Sequence, residues 1–414
     1  MPSFSLISKT ITSALLVAGT CIGGGMLALP LASAPGGFFP SLTYMSIVWL
    51  AMTATGLCLV EVGLWMKRDD IHLISMASTI LGKWGKYLVW ILFTFISYAS
   101  LAAYTGGCGK LIAKGLYSLF SIQVSKAQGC LLFTLLAAPV LLGPRRILGR
   151  TNDIIFFLMI GAYFVIIAQG IGFVREDLLF RNSWADAPMG VPLLITAFSC
   201  QMMIPSLHSF LDNHKKALRT AVILGTTLAF AIYALWQLVI FGSIPFEGQW
   251  GLAAALALDE PATYCLEHLT HSPLIPPAAT LFALFALITS FFGIGMGLFD
   301  FLADGLHIKR KGKGLAVLAA LVLVPSLFFA IRCERIFITA LDISGGFGDT
   351  ILNGVIPILM LWVGAQTIAN GKFRIGTALR GFLILLLCLY ISAFGLEMKL
   401  RLSEESHSEL FESS

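Results

Sequence analysis

Apolar residues run in long stretches along nearly the whole chain, each closed by a short polar or charged turn. This alternation predicts helices that cross a bilayer. Hydropathy with turn and charge breaks places eleven spans near 10–34, 38–66, 84–117, 127–143, 151–174, 189–211, 218–244, 274–305, 314–331, 350–370 and 375–396. The third and eighth are longest and should tilt. Segment 245–273 is the longest connection, with Glu247, Asp259, Glu260 and Glu267 around the apolar stretch from Leu252 to Leu258. It reads as a surface helix over one mouth of the bundle.

Two of the spans are interrupted. In the first, Gly19-Thr20-Cys21-Ile22-Gly23-Gly24-Gly25-Met26 removes helix preference at membrane depth. Unwound backbone survives there only if protein buries it or it lines a water-filled cavity. The stretch therefore reads as a binding site, with a half-helix from Met26 to Ala34 turning its N-terminal amides towards an anion. A packing surface of the small-xxx-small type has the same composition. The sixth span breaks at Phe198-Ser199-Cys200-Gln201-Met202-Met203-Ile204-Pro205, where the proline suits the start of a second half-helix. Breaks in spans one and six imply two five-helix repeats, about 10–174 and 189–370, with an extra helix at 375–396 and a site at the bilayer midplane. Residues 1–396 form one transmembrane domain on this reading, and 397–414 an acidic, disordered tail.

Composition agrees. Hydrophobic residues make up 57% and charged residues 12% of the 414, which leaves almost no room for a soluble domain. Assigning loops to alternate sides puts Lys9, the 67–86 and 145–150 groups, Lys215, Lys216, Arg219, the 309–313 group and 372–380 on one face. That face holds eighteen of the 27 basic residues, so the N-terminus is cytoplasmic and the tail periplasmic. Net charge of +5 gives no indication of a nucleic-acid partner. The opening run imitates a signal peptide up to Ala32-Ser33-Ala34, but it is longer than an h-region and interrupted by glycines. Neither the cysteines nor the histidines are spaced as metal ligands, and no cofactor is expected; Cys265 and Cys333 fall outside the spans and could pair. No HExxH, GxSxG or GxxxxGK[ST] motif is present, so an enzyme or an ATP-driven pump lacks its chemistry.

Three segments carry a resemblance. These are Gly19 to Leu31; Ile204-Pro205-Ser206-Leu207 with Leu211-Asp212-Asn213 and 216–219; and Thr289-Ser290-Phe291-Phe292-Gly293 running to Gly297-Leu298-Phe299-Asp300-Phe301-Leu302-Ala303-Asp304. Tyr98, Ala102, Ala103 and Tyr104 add to it. Together they resemble the aromatic amino acid permeases, the tyrosine- and tryptophan-specific proton symporters of bacteria. The departure is the sixth break, which in those permeases is richer in aromatics and glycine. The resemblance implies an all-α membrane protein of the LeuT type (amino acid/polyamine superfamily) in the bacterial inner membrane. It also implies an aromatic amino acid substrate, tyrosine foremost, with a proton as coupling ion. Tryptophan, a broader aromatic range and sodium coupling through Thr289 and Ser290 remain alternatives, as does a nutrient sensor on the same scaffold.

A zwitterionic amino acid suits a broken helix, which offers amides to one charged group and carbonyls to the other. Gly23, Gly24 and Gly25 would supply amides, Ala18 and Gly19 carbonyls. The sixth span would add carbonyls at Ala197 and Phe198 and the side chains of Ser199 and Gln201. Tyr98, Ala102, Phe198, Met202 and Phe291 are the expected walls for an aromatic ring; the same residue types also face lipid and neighbouring helices. Glu61, Asp300 and Asp304 lie near the cytoplasmic ends of their spans. They are candidates for proton binding, or for an inner gate paired with Lys67, Arg68 or Lys309. His208 reads as a satisfied polar residue or a proton relay.

Overall fold

The computed structural model describes residues 4–66, 72–143, 145–258, 260–270, 272–332, 343–368 and 375–412. It is helical throughout, and among the described residues the sole β feature is an isolated bridge between Gly37 and Asn182. The helices are α1 Phe4–Cys21, α2 Gly24–Ser33, α3 Phe38–Met66, α4 Leu73–Phe120, α5 Lys126–Leu142, α6 Arg145–Gly170 and the short α7 Glu176–Leu179. They continue with α8 Val191–Ala197, α9 Ile204–Phe210, α10 Lys215–Ser243, α11 Leu252–Leu258 and α12 Ala262–Thr270. Last come α13 Ile275–Gly305, α14 Lys313–Arg332, α15 Ser344–Thr367 and α16 Thr377–Glu412. Each of the eleven expected spans coincides with a helix or a broken pair. Among the described residues, nine stretches are long and apolar enough to cross a membrane, and a tenth is the pair α1/α2, bent by 54°. The chain is a multi-pass membrane protein.

Local sequence explains where helices start and turn. Ser125 caps α5: its hydroxyl accepts from the Gln128 amide at 3.3 Å while the Gln128 side chain accepts from the Ser125 amide at 2.8 Å. Helix α4 is far longer than the third expected span because an arm, 73–81, precedes it. The join is Gly82, whose φ of 72° is left-handed backbone that only glycine adopts readily. Both breaks fall where expected. Helix α1 stops at Cys21 and α2 restarts at Gly24, while α8 stops at Ala197 and α9 restarts at Ile204 after a 3₁₀ turn, Gln201–Met203. Helices α11 and α12 occupy the long connection.

Two boundaries differ from expectation. Helix α15 begins at Ser344 rather than 350, and Ser344–Val355 is π-helical. Its first turns are glycine-rich because they press against α8; a β-carbon at Gly345 would overlap the Pro192 carbonyl. At the other end α16 continues past 396, where the expected extra helix ends, to Glu412. Helical phase explains this: Glu397 returns to the bundle, fully buried against Gly346, with Arg401 Nε 2.8 Å from its Oε1.

Candidate functional site at the two helix breaks

The two breaks meet. A β-carbon at Gly25 would lie 3.4 Å from Ala197 Cα, so α2 and the end of α8 touch backbone to backbone. Tyr233 of α10 closes the junction from one side. Its hydroxyl is in hydrogen-bond range of the Cys21 carbonyl and, at 3.0 Å, of the Ala197 carbonyl, and its ring stands edge-on to Phe198 at 5.2 Å. The Cys21 and Cys200 thiols, one from each break, lie near each other. Opposite, Ser290 of α13 accepts from the Gly24 amide at 2.9 Å. Tyr104 of α4 packs over the same glycine within hydrogen-bond reach of Ser290 and Ser100. A side chain at Gly24 would run into the Tyr104 ring, and one at Gly23 into the Ser290 hydroxyl. Glycine is therefore required here by close approach.

The expected residues divide into those at the junction and those held elsewhere. Gly23, Gly24, Gly25, Ala197, Phe198 and Ser199 are at the junction. The Ala18 carbonyl closes the last turn of α1, accepting from Ile22 at 2.8 Å, and Gly19 faces Phe156 of α6. Gln201 is a brace: its Nε2 donates to the Met52 carbonyl and the Thr55 hydroxyl, both at 3.0 Å, and its Oε1 accepts from the Cys200 amide at 2.9 Å. Tyr98 donates to the Leu321 carbonyl of α14 at 2.7 Å, and Phe291 stands edge-on to Phe133 of α5 at 5.0 Å. Ala102 is buried within α4 and Met202 half-buried. Of the five expected aromatic-wall residues, Phe198 lies at the junction, while Tyr98 and Phe291 also contact α14 and α5. Tyr104, six residues on from Tyr98, is the ring of α4 that reaches the break; Ser97, Ser100, Tyr104 and Cys108 mark its buried face at helical spacing.

The carboxylates also redistribute. The Glu61 side chain is 8% exposed and lies 3.0 Å from Lys215 Nζ and 2.7 Å from Arg219 Nη2, both on α10. Those two are its partners among the described residues; Lys67 and Arg68 lie outside them. Asp300 pairs with Arg310 at 2.7 Å instead of Lys309. The Asp304 side chain and Cys333 also lie outside the described residues. His208 Nδ1 is 2.8 Å from Asn213 Oδ1.

One carboxylate at the junction falls outside all the expected spans. Asp349, in the π-helical part of α15, is 2% exposed. Its Oδ1 accepts from the Ser199 hydroxyl at 3.1 Å and from Asn353 Nδ2 at 2.6 Å, and the Thr196 hydroxyl lies against it as well. Asn353 Nδ2 also donates to Ser199, closing a triangle on the sixth-span break. At the mouth remote from Glu61, a cavity of about 110 Å³ opens among α2, α4, α12 and α13. Leu27 and Leu287 are among its lining, and Leu287 also touches Gly24; Lys110 faces Glu260 across it at 3.4 Å.

The solved structure of MhsT in complex with L-phenylalanine matches this fold with a TM-score of 0.60 at 13% identity, over 93% of this chain and 97% of that one. Among curated relatives, the tyrosine-specific transport system 1 of Haemophilus influenzae is 31% identical over 89% of this chain and 92% of its own length. The tryptophan-specific transport protein of the same organism is 26% identical over 90% and 92%. These are transport proteins, not enzymes. The model of the tryptophan/tyrosine permease family matches residues 7–395, and the chain belongs to that family.

Proposed function

We propose that this permease imports an aromatic amino acid, tyrosine foremost, across the bacterial inner membrane in symport with a proton. Transport proceeds by alternating access around the two breaks. The observation that carries this reading is the junction itself. Two discontinuous helices meet at Gly25 and Ala197, with rings from Tyr104 and Phe198 beside them. In this reading the substrate carboxylate takes amides of the 23–25 stretch, displacing the Ser290 hydroxyl that caps Gly24, and the ammonium takes carbonyls at the sixth-span break. The two five-helix repeats act as one domain, with eleven spans, a cytoplasmic N-terminus and a periplasmic tail. Glu61 with Lys215 and Arg219 latches the cytoplasmic mouth, and the cavity beside Lys110 is the periplasmic approach.

Uptake into proteoliposomes tests the reading. Labelled tyrosine should accumulate when a pH gradient is imposed without sodium. Unlabelled tyrosine and tryptophan should compete, and an uncoupler should abolish accumulation. Accumulation that requires sodium, or that ignores all aromatic competitors, refutes it. Reporter fusions at the N-terminus and at 309–313 should report the cytoplasm.

A further inference from the structure

Of the carboxylates that sequence position nominates for proton binding, Glu61 and Asp300 do not share the junction, whereas one that it leaves in a loop does. Glu61 and Asp300 are committed to cations. Asp349 is buried at the break, and among the described residues no lysine or arginine pairs with it. We infer that Asp349 binds the coupling proton, and that the Ser199 hydroxyl ties its protonation to substrate occupancy. The inference rests on the proposed function.

An ionised carboxylate away from water needs either a cation or several donors. Asp349 has donors: Ser199, Asn353 and Thr196 suit the anion in the empty carrier. Ser199 is the one that belongs to the broken span. A substrate acceptor seated on the break takes the hydroxyl proton that Ser199 otherwise donates to Asp349. Asp349 then loses a donor, and a proton is the remaining way to relieve its charge. Water at the open mouth gives the proton, an O–H bond forms on the carboxylate, and the carboxyl returns the proton to water on the other side as substrate leaves. Substrate raises proton affinity and, by reciprocity, the proton raises substrate affinity, which is the linkage a symporter needs.

Other titratable groups around α15 do not replace it. Tyr104 faces Asp349 from α4, and Tyr390 packs on Gly354 from α16. Glu397, also on α16, stands against Gly346 with Arg401 beside it. From α8 and the break that follows it, the neighbours are the neutral hydroxyls of Thr196 and Ser199.

The test uses the full chain in proteoliposomes. The parent should exchange external labelled tyrosine for internal tyrosine with a pH-dependent KM, and a pH gradient should drive accumulation. In Asp349→Asn, accumulation should fall by about tenfold or more and the KM of exchange should lose its pH dependence between about pH 5.5 and 8. In Ser199→Ala, the pH dependence of KM should flatten while a proton can still bind. Gradient-driven accumulation by Asp349→Asn within about threefold of the parent overturns the proposal. Absence of any exchange in the parent refutes the functional reading first, and this proposal with it. Should the asparagine variant not insert, the parent still decides. Dicyclohexylcarbodiimide, which modifies protonated carboxyls in apolar surroundings, should label the Asp349 peptide at acid pH and not at alkaline pH. Labelling confined to other carboxylates rules Asp349 out.

Discussion

The hydroxyl of Tyr233 reaches the carbonyl of Cys21, where the first span stops, and from the same place also reaches Ala197, where the sixth stops. A hydroxyl has one proton, so it satisfies one carbonyl at a time and leaves the other oxygen for a further donor. Tyr233→Phe keeps the ring against Phe198 and removes the link. The expected cost is about 1–2 kcal/mol in thermal unfolding, with a several-fold rise in the KM for tyrosine exchange. A lowered melting temperature with KM unchanged would mean that the hydroxyl serves only to hold the helices.

Two glycines of the first span should respond in opposite ways. Gly24→Val drives a branched side chain into the Tyr104 ring and also meets Leu287. If the substrate carboxylate is held at these amides, losing one charge-assisted bond weakens binding by roughly tenfold or more. A β-carbon at Gly19 would meet the Phe156 ring at 3.4 Å, an ordinary contact, so Gly19→Ala should bind tyrosine as the parent does. Equilibrium binding to inserted protein measures both. A Gly24→Val protein that inserts and binds at parental affinity would falsify the site.

The Glu61 cluster predicts coupling across one mouth. Glu61 is almost fully buried while Lys215 and Arg219 are about half exposed, so the pair is screened on one side. A double-mutant cycle of Glu61→Gln with Arg219→Gln should give an interaction energy of about 1–2 kcal/mol, reduced by added salt. Cysteines placed on α9 should label faster from the cytoplasmic side in Glu61→Gln. An unchanged labelling rate would remove the latch.

Cys265 offers a check on the connection over the other mouth. It sits on α12 outside the spans, its thiol 3.5 Å from the Gly251 carbonyl, and burial pushes it up to about 11 from an ordinary 9.0. Alkylation needs the thiolate, and a raised value means that form is scarce at neutral pH. The labelling rate of Cys265 should therefore climb about tenfold per unit as pH rises towards 11. Mass spectrometry of the labelled peptide measures it, and rapid modification at pH 7 would contradict the buried position of α12.

Sequence revealed the breaks because their cause is local. Gly23-Gly24-Gly25 and Pro205 act on their own backbone whatever surrounds them. It did not reveal Asp349, since Ser344-Gly345-Gly346-Phe347-Gly348-Asp349 has the composition of a turn and becomes helix only where α8 and α16 pack against it. Partner choice was equally non-local. The described cations that meet Glu61 come from α10, four residues apart and so on one face of it. Tyr104 packs over Gly24, and the spacing of Ser97, Ser100 and Cys108 marks that buried face of α4.

Helix α5 has 17 residues, about 25 Å of rise, and it packs along α4, which has 48. Read as the fourth span, it is shorter than the roughly 30 Å hydrocarbon layer around it. Lipid must thin locally to meet it, at a cost that grows with acyl-chain length. Phe133 of α5 supports Phe291, the residue that follows Ser290, whose hydroxyl caps the Gly24 amide. Strain from a thick membrane is thus passed through two rings towards the first-span break, so the choice of lipid becomes a variable of the transport assay itself.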